Sequence, residues 1–240
     1  MLETVQKSGM SITTETLADY DLAGYDCPEC GNTGTITRQE NGMLFTRECK
    51  CMPIRRSLRK IRNSGMMDML SRYTFENYQA DDSVRAKIKG QAELFTQIES
   101  GWFYIFGKSG SGKTHICTAI CSKFIERGTE VYYMSWRDES VNLKSSITDP
   151  EVYEQKIKKI KSVPVLYIDD FFKGNPSEAD VRLAFEIINA RYNDTAFRTI
   201  ISSEIDMKKL LSIDEALGGR IYERARGFVI QAPNENYRLR

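Results

Sequence analysis

A glycine-rich loop near the middle of the 240-residue chain constrains the fold more than any other feature of its sequence. The stretch GKSGSGKTH, residues 107–115, contains the full pattern G-x-x-x-x-G-K-[ST]. It follows the short aromatic run WFYIF and precedes apolar residues that recur with the helical period, from Ile116 to Ile125. A strand, a glycine-rich loop and a helix in this order predict a cradle of backbone N–H groups for phosphates.

The residue types in this loop predict that it binds a nucleoside triphosphate together with Mg²⁺. Lys113 is expected to neutralise the β- and γ-phosphates, and Thr114 to offer its hydroxyl to Mg²⁺. His115, the only histidine, lies in the first turn of the helix, where a structural role is favoured over a ligand role. The residues predicted to bind the nucleotide here are Gly107, Lys108, Ser109, Gly110, Ser111, Gly112, Lys113, Thr114 and His115.

A second acidic element is expected at the end of another strand, because the metal needs a carboxylate as well as phosphates. The run PVLYIDD, residues 164–170, is apolar until it ends in two carboxylates, as in a strand that is buried on both faces. Asp169 is predicted to hold Mg²⁺ or its water shell, and Asp170 to polarise the attacking water. An alternative for Asp170 is that it only caps the following loop.

Strand and helix patterns alternate along the second half of the chain. Strands are predicted at 102–106, 130–134, 164–170, 199–202 and 227–231. Helices are predicted at 84–99, from Lys113 to Gly128, in two stretches within 136–162, and at 177–192, 207–211 and 214–224. This alternation predicts an α/β fold, with a parallel sheet flanked by helices on both faces.

Composition and charge limit the other classes of protein that the chain can represent. With 41% hydrophobic residues the chain can bury one main core and a small additional module, and its net charge of +1 produces no overall attraction to nucleic acid. The N-terminus has no basic stretch followed by an apolar run, and no segment approaches the ~18 apolar residues of a membrane span. We therefore expect a soluble, cytoplasmic protein with no membrane partner.

Four cysteines near the N-terminus have the spacing of a metal site. Cys27, Cys30, Cys49 and Cys51 form C-x₂-C, an eighteen-residue gap and C-x-C. Four thiolates at this spacing can surround one Zn²⁺, with the gap as a hairpin, and metal binding would then supply most of the folding free energy of so small a module. Cys117 and Cys121, four residues apart on the helix after the loop, are interpreted as small core residues.

Five motifs in order carry a resemblance to a known family. YTFENY, GKSGSGKTHI, VLYIDDF, TIISSE and GGRIYERARGF resemble the AAA+ ATPases of the DnaC/DnaI helicase-loader family, of the phage or mobile-element type. CPECGNTGT…CKC resembles the zinc module that grips the replicative helicase in Gram-positive members. The resemblance implies an N-terminal zinc-binding, helicase-interaction module at 1–54, a basic linker at 55–72 and an AAA+ P-loop core at 73–240. The linker stretch RRSLRKIR is alternatively a hinge that faces DNA.

The resemblance also implies roles for residues outside the glycine-rich loop. TFENY corresponds to the segment that lines the adenine pocket, which makes Phe75, Asn77 and Tyr78 candidates. Arg224 falls where the family has the arginine finger that acts on a neighbouring subunit, and Arg220 is the alternative.

Further roles follow near the C-terminus and in the paired helices at 136–162. Arg238, in NENYRLR, is a candidate sensor arginine that acts on the nucleotide of its own subunit. The two helical stretches at 136–162 correspond to an insert that faces single-stranded DNA, where a run of lysines could follow a phosphate backbone, although such a run is more often a solvated surface. These lysines are Lys144, Lys156, Lys158, Lys159 and Lys161.

The chain departs from the family pattern at two positions. Asp170 stands where a longer glutamate is common, and Glu204 stands where an asparagine sensor is common. An ionised glutamate cannot donate a hydrogen bond to a γ-phosphate, so Ser203 is the candidate that would replace it. Both departures predict slow ATP hydrolysis that partners stimulate.

The function implied is that of an ATP-dependent loader, which places a DnaB-type replicative helicase on single-stranded DNA when replication initiates. Its cofactors would be ATP, Mg²⁺ and Zn²⁺, and it would self-associate through AAA+ interfaces. Two alternatives remain at this stage. One is an IstB-like transposition ATPase, a class that typically lacks a cysteine module at the front. The other is an adaptor or inhibitor that binds nucleotide and captures a host helicase without turnover.

Overall fold

The computed structural model describes residues 27–40, 42–53, 55, 67–127 and 129–236. Arg238, the first twenty residues and most of the stretch RRSLRKIR lie outside these ranges. The predictions made for them therefore stay predictions.

A two-stranded hairpin forms the N-terminal part of the described chain. β1 (Thr35–Glu40) pairs antiparallel with β2 (Met43–Glu48), from Thr35 opposite Glu48 to Glu40 opposite Met43. Because one cysteine pair precedes β1 and the other follows β2, the return of the chain brings the two pairs together. The predicted hairpin between the cysteine pairs is confirmed.

Five parallel strands form the main sheet of the described residues. They are β3 (Trp102–Phe106), β4 (Val131–Ser135), β5 (Val165–Phe171), β6 (Arg198–Ser203) and β7 (Val229–Gln231). Their order across the sheet is β4-β5-β6-β3-β7. Because the strands are parallel, the segments that follow β3, β5 and β6 all emerge at the same edge, side by side. The predicted parallel sheet is confirmed.

The helices lie close to their predicted positions. The α-helices are α1 (Met67–Arg72), α2 (Ser83–Phe95), α3 (Lys113–Glu126), α4 (Trp136–Ser145), α5 (Pro150–Ser162), α6 (Glu178–Tyr192), α7 (Met207–Ile213) and α8 (Glu215–Arg224), and a 3₁₀ turn covers Ser146–Thr148. Helix α2 ends four residues before its predicted end, where the Thr96 hydroxyl donates to the Glu93 carbonyl. No helix in the described ranges has both the length and the apolar character needed to cross a membrane.

Side-chain caps explain where several of these helices begin. Before α2, α5, α6, α7 and α8, the side chain of the preceding residue accepts a hydrogen bond from a backbone N–H in the first turn. That N–H would otherwise have no partner within the helix. At α6 the cap is reciprocal, because Ser177 and Asp180 each accept from the other's backbone N–H. The capping residues are Asp82, Asp149, Ser177, Asp206 and Asp214.

The sheet divides the core into two apolar layers. Alternate residues of β3 point to opposite faces, so Phe103 and Ile105 pack with the layer that contains α2 and α3. Trp102 and Tyr104 pack with the layer that contains α4 to α8. All four side chains are buried, which is why this strand reads as a continuous apolar run in the sequence.

Candidate nucleotide site and metal centre

The glycine-rich loop joins the end of β3 to the start of α3 and contains three left-handed glycines. Gly107, Gly110 and Gly112 have φ values of 151°, 76° and 88°, which other residues rarely adopt. The Gly107 N–H donates to the carbonyl of Ser203 on β6 (3.1 Å), so the neighbouring strand holds the loop at its start. The N-terminus of α3 therefore points at the space that the loop encloses, as phosphate binding requires.

Lys113, the first residue of α3, is buried inside the loop. Its Nζ donates to the carbonyl oxygens of Gly107 and Lys108, each at 2.8 Å. Burial lowers the pKa of this lysine, because removing water disfavours the charged form. Phosphate oxygens entering the loop would supply the negative charge that this ammonium group needs.

Asp169, near the end of β5, is surrounded by hydroxyl groups. It accepts hydrogen bonds from the hydroxyls of Tyr167 (2.6 Å), Tyr133 (3.1 Å), Thr114 (3.4 Å) and Ser202. Four donors fix the position of a carboxylate that can only accept when ionised. The oxygens of Thr114 and Asp169 thus lie side by side at the start of α3, and a hydroxyl with a carboxylate fits the preference of Mg²⁺ for oxygen ligands.

Asp170 has an unusual backbone conformation at the edge of the cavity. Its φ is 53°, and the pairing of β5 with β6 shifts register between Ile168 and Phe171. The Asp170 N–H donates to the Ser202 hydroxyl (3.0 Å), and its carboxylate accepts from Lys173 Nζ (2.6 Å). The carboxylate lines the cavity and also pairs with the following turn, so both interpretations of Asp170 have a structural counterpart.

The two residues after Asp170 form an aromatic pair against the start of α4. The rings of Phe171 and Phe172 stack with centroids 4.1 Å apart and 17° between their planes. Trp136, the first residue of α4, packs edge-on against both rings, at 4.9 Å and 5.4 Å. Phe172 also has a positive φ, 55°. Left-handed backbone at two such residues costs free energy, which the packing of these three rings offsets.

A cavity of about 310 Å³ lies beside the loop and contains most of the predicted nucleotide-binding side chains. Its lining residues are Tyr73, Asn77, Tyr78, Gln79, Arg85, Ser109, Gly110, Ser111, Gly112, Lys113, Thr114, His115, Asp170 and Lys173. Gly107 and Lys108 contribute through the carbonyls that hold Lys113. Two predicted residues are not brought to the cavity: Phe75 is buried in the core, and the buried Ser203 hydroxyl donates to the carbonyl of Phe171 (2.7 Å).

His115 connects the loop helix to the segment that precedes α2. Its ring lies between those of Tyr73 and Tyr78, with centroids 4.9 Å and 5.1 Å away. Nε2 lies 2.9 Å from the carbonyl of Thr74, an acceptor, so Nε2 carries the proton. Burial lowers the pKa of this histidine. These contacts support the structural role expected for His115, that of holding two tyrosines at the cavity wall.

Arg85 is a cavity residue that the sequence pattern did not reveal. Its guanidinium is buried and pairs with Asp81, Asp82 and Glu235, the last at 2.8 Å. The pairing with Glu235 brings the C-terminal segment to the loop, where a side chain at Gly110 would overlap Asn236. Glu235 is 150 residues away along the chain, so no local spacing signals this contact.

The two candidate arginine fingers lie away from the cavity of their own chain. The Arg224 guanidinium is 5.8 Å from the ring of Trp102, at the beginning of β3, whereas the phosphate loop follows the end of that strand. Arg220 donates to Asn189 Oδ1 (3.0 Å) and to the carbonyl of Ala216 (2.9 Å). Neither residue is in the lining of the cavity, so any action on nucleotide would be on a neighbouring subunit.

The lysines of α4 and α5 are largely paired with acidic residues of the same chain. These ion pairs reduce the positive charge that the two helices offer to a DNA backbone. The three pairs are Lys144 with Asp180 at 2.6 Å, Lys159 with Glu130 at 2.5 Å and Lys161 with Glu186 at 2.6 Å. The interpretation of this run as an ordinary solvated surface is thereby favoured for these three residues.

The four N-terminal cysteines converge on one point. Cys27 and Cys49 Sγ atoms are 3.7 Å apart, those of Cys30 and Cys51 are 3.5 Å apart, and all four lie within 4.8 Å of one another as free thiols. Four thiolates around Zn²⁺ at about 2.3 Å would place their sulfurs about 3.8 Å apart. The cluster therefore has the ligand type, number and spacing of a structural zinc site.

Neighbouring polar groups orient the first cysteine turn. The Asn32 side chain accepts from the Cys27 N–H (2.9 Å) and from the guanidinium of Arg55, which is buried beside the cluster. Arg55 hydrogen-bonds to Cys51 and lowers the pKa of that thiol, although burial raises it more, to about 12. Four thiolates and one Zn²⁺ carry net negative charge, so a buried guanidinium in contact with them is stabilising. Arg55, predicted as the start of the linker, packs with the cysteine module.

Cys117 and Cys121 have the role that the sequence predicted. Both are fully buried on α3 and pack in the core layer beneath β3. Burial raises the pKa of the Cys117 thiol well above its usual value, so the group stays neutral.

Proteins with related sequences include a phage-like element protein and a helicase loader. The Bacillus subtilis (strain 168) phage-like element PBSX protein XkdC is 27% identical over 255 aligned residues, which cover 100% of this chain and 94% of that protein. The replicative helicase loader DnaC of Buchnera aphidicola subsp. Acyrthosiphon pisum is 27% identical over 198 residues, which cover 78% and 77%.

Solved structures with the same fold include those of DnaI and DnaA. A crystal structure of DnaI has a TM-score of 0.58 at 24% identity, covering 70% of this chain and 92% of that chain. AMPPCP-bound DnaA from Aquifex aeolicus has a TM-score of 0.59 at 22% identity, covering 68% and 51%. These similarities confirm the predicted α/β fold, a parallel sheet flanked by helices. The family model described as "IstB-like ATP binding protein" matches residues 34–240, which is most of the sequence. The chain therefore belongs to that family of ATP-binding proteins.

Proposed function

We propose that this protein is an ATP-dependent loader of a DnaB-type replicative helicase onto single-stranded DNA. The similarity to proteins named replicative helicase loader DnaC, over about three quarters of both chains, carries the helicase part of the proposal. The cavity beside the phosphate loop, which Asp170 lines, and the contact of Asp169 with Thr114 support the ATP part.

The residues of the cavity divide the work of hydrolysis between them. Lys113 binds phosphate oxygens inside the loop, and the helix N-terminus adds its positive end. Thr114 and Asp169 would hold Mg²⁺, which when bound neutralises charge on the phosphates. Asp170, at the mouth of the cavity, orients the attacking water by accepting its proton. Its short side chain and its pairing with Lys173 support slow turnover that partners stimulate.

Arg224 completes the site of a neighbouring subunit in this proposal. Its guanidinium makes only long contacts within its own chain, 3.3 Å to the carbonyl of Thr195 and 3.5 Å to that of Asp194. Arg220 is held more firmly, by Asn189 and by a ring on either side. The difference supports Arg224 over Arg220 as the finger, because a side chain with weaker contacts costs less to redirect.

The cysteine module has a separate role as the part that binds the helicase. We assign Zn²⁺ to Cys27, Cys30, Cys49 and Cys51, because sulfur separations of 3.5–3.7 Å suit four-thiolate coordination. The hairpin between the cysteine pairs presents three consecutive exposed apolar side chains, Met43, Leu44 and Phe45. Exposed apolar residues in a row are unusual on a soluble surface and mark a contact site for another protein.

The experiment that tests the proposal is helicase loading by the intact protein. With ATP, the chain should place a DnaB-type helicase from a plausible bacterial host on a DNA circle coated with single-strand-binding protein. Lys113→Ala should abolish loading, whereas Lys208→Ala, at an exposed lysine of α7, serves as the matched control. Helicase binding that lowers unwinding, with no ATP turnover, would instead support the adaptor or inhibitor.

A transposition ATPase is the second candidate, because the family match is to IstB-like ATP binding proteins. This function predicts that the protein prefers duplex DNA and ignores helicase. Binding of labelled single-stranded and double-stranded DNA at several salt concentrations, with and without helicase, separates the two candidates. Preference for the duplex together with no helicase capture would overturn the loader proposal.

A further inference from the structure

Lys173 is a cationic residue at the nucleotide cavity that neither the motifs nor the family comparison assigns. It lies two residues beyond the end of β5, and its side chain lines the cavity. Its Nζ is 2.6 Å from Asp170 Oδ2 and 3.8 Å from Glu204 Oε1. Asp170 lies near the end of β5 and Glu204 directly follows β6, so the ends of two neighbouring strands contribute to one small charged cluster.

The charges of this cluster act on the phosphate-binding lysine across the cavity. Lys113 has its pKa lowered chiefly by burial, and Lys173 lowers it further, while Asp170 and Glu204 raise it. The hydrogen bond that Lys173 donates to Asp170 is the largest of the influences that raise the pKa of Lys173, which therefore stays protonated. The cluster is thus electrostatically part of the phosphate site.

The residue at position 204 indicates why a cation beside it matters for phosphate binding. When ionised, Glu204 has no donor for a phosphate oxygen, and the Ser203 hydroxyl is committed to the carbonyl of Phe171. Lys173 does have donors, lies within ion-pair distance of Glu204, and has 39% of its side chain exposed, so it is free to reorient. The one residue of this cluster that can donate to a phosphate is therefore Lys173.

We propose that Lys173 binds the γ-phosphate of ATP, and that Asp170 and Glu204 hold it beside the cavity when no γ-phosphate is there. The inference rests on the proposed function, since it assumes that the cavity takes ATP. A γ-phosphate with its two or more negative charges competes with single carboxylates for the ammonium group. Movement of Lys173 to the phosphate releases the Asp170 carboxylate, which then accepts a hydrogen bond from water. Binding of ATP, and not of ADP, thereby prepares the site for hydrolysis.

The test compares two nucleotides on the intact protein. Affinities for ADP and for a non-hydrolysable ATP analogue, AMPPCP, are measured by calorimetry with Mg²⁺ present. Lys173→Ala should weaken AMPPCP binding roughly tenfold, the size expected for one charge-assisted hydrogen bond, and change ADP binding less than twofold. Lys173→Arg should retain most of the preference for AMPPCP, and Lys208→Ala, at an exposed lysine of α7, should change neither affinity.

The carboxylate partner provides a second variant that tests competition directly. Glu204→Gln removes one anion that holds Lys173, so AMPPCP affinity should rise a few-fold, and this gain should vanish in the double variant with Lys173→Ala. Equal weakening of ADP and AMPPCP by Lys173→Ala, or no effect on either, would overturn the inference. If the unaltered protein bound neither nucleotide, the proposed function would fail together with it.

Discussion

Single residues at the cavity hold its wall in place through contacts that depend on their charge state. His115 carries out this task as a neutral ring, with Tyr73 and Tyr78 on its sides and the Thr74 carbonyl at Nε2. Protonation of the ring costs free energy in this half-buried position, because desolvation penalises the charge. The part of the chain that contains the five-stranded sheet and the nucleotide cavity is called the nucleotide domain below. Its free energy of unfolding is therefore coupled to pH at His115.

The coupling has a definite sign. Since the pKa of His115 is lower in the folded protein than in the unfolded chain, the unfolded state gains its proton first as pH falls below the usual value of about 6.5. We expect the free energy of unfolding in urea to fall between pH 7.5 and pH 5.5. The variant His115→Gln, which keeps a donor for Thr74, should lose this part of the decrease. An identical pH dependence in both proteins would contradict the prediction.

The residues of this site differ in how far the sequence alone predicts them. Lys113, Thr114 and Asp169 are predictable because phosphate and Mg²⁺ chemistry fixes their types and spacing. Arg85 and Lys173 are not, because their roles come from pairing with residues on other segments, which no local pattern records. Spacing predicts Ser203 as the donor to the γ-phosphate, but the fold directs its hydroxyl to the carbonyl of Phe171.

At the scale of elements, two adjacent glycines of α8 report how closely this helix packs on α7. A Cβ at Gly218 would lie 3.0 Å from the backbone of Leu211, whereas a Cβ at Gly219 would meet nothing within 4 Å. The helices α7 and α8 therefore approach each other so closely that a side chain at position 218 requires the backbone around Leu211 to shift.

This difference predicts opposite effects of the same substitution. Gly219→Ala should raise the free energy of unfolding by about 0.5–1 kcal/mol, because alanine is the better helix former. Gly218→Ala gains the same propensity but forces the helices apart, and overpacking of this kind costs about 1–3 kcal/mol, so we expect net destabilisation. Urea unfolding of both variants gives the comparison, and stabilisation by both would show that α7 yields easily.

The elements themselves were largely predictable, and the exceptions have physical causes. Helices and strands of the core have strong apolar periodicity, so their existence and order follow from the sequence. Boundaries depend on weaker local contacts: α2 ends early where Thr96 bonds back to Glu93, and the ladder of β7 begins only at Val229 although GFVIQ reads as a strand from Gly227. Gly227 has a left-handed φ of 91°, which a regular strand does not accommodate.

At the scale of the whole molecule, the cysteine cluster and the nucleotide domain should respond differently to metal removal. The cluster contains few apolar groups besides its own cysteines and Ile36, so zinc would supply most of its folding free energy. We expect about one zinc per chain by metal analysis of reduced protein. Cys49→Ser should remove the zinc and the helicase binding while ATP affinity stays the same.

The matched control for that change is a cysteine outside the cluster. Cys121 lies in the core beneath β3. The variant Cys121→Ser should therefore retain zinc but lower the stability of the nucleotide domain. Freshly prepared, reduced protein that contains no zinc would contradict the assignment of the cluster.

The proposed action of Arg224 on a neighbouring subunit leads to a further prediction at this scale. Lys113→Ala should prevent nucleotide binding by its own subunit, whereas Arg224→Ala should spare binding and lose only stimulated turnover, since a finger acts on a neighbour. A mixture of the two variants should recover part of the ATPase activity, because some interfaces pair an intact loop with an intact arginine. Lack of recovery, together with a larger loss of ATPase activity in Arg220→Ala, would indicate that Arg220 is the arginine finger.

The stacked rings of Phe171 and Phe172 link the end of β5 to the start of α4. Both residues that flank Phe171 have left-handed backbone, and Trp136 clamps the ring pair at the first turn of α4. We therefore expect a rotation of the Asp170 peptide to tilt the rings. Because Trp136 packs against both rings, such a tilt would displace the first turn of α4, so a change at the end of the acidic strand would be transmitted to this helix.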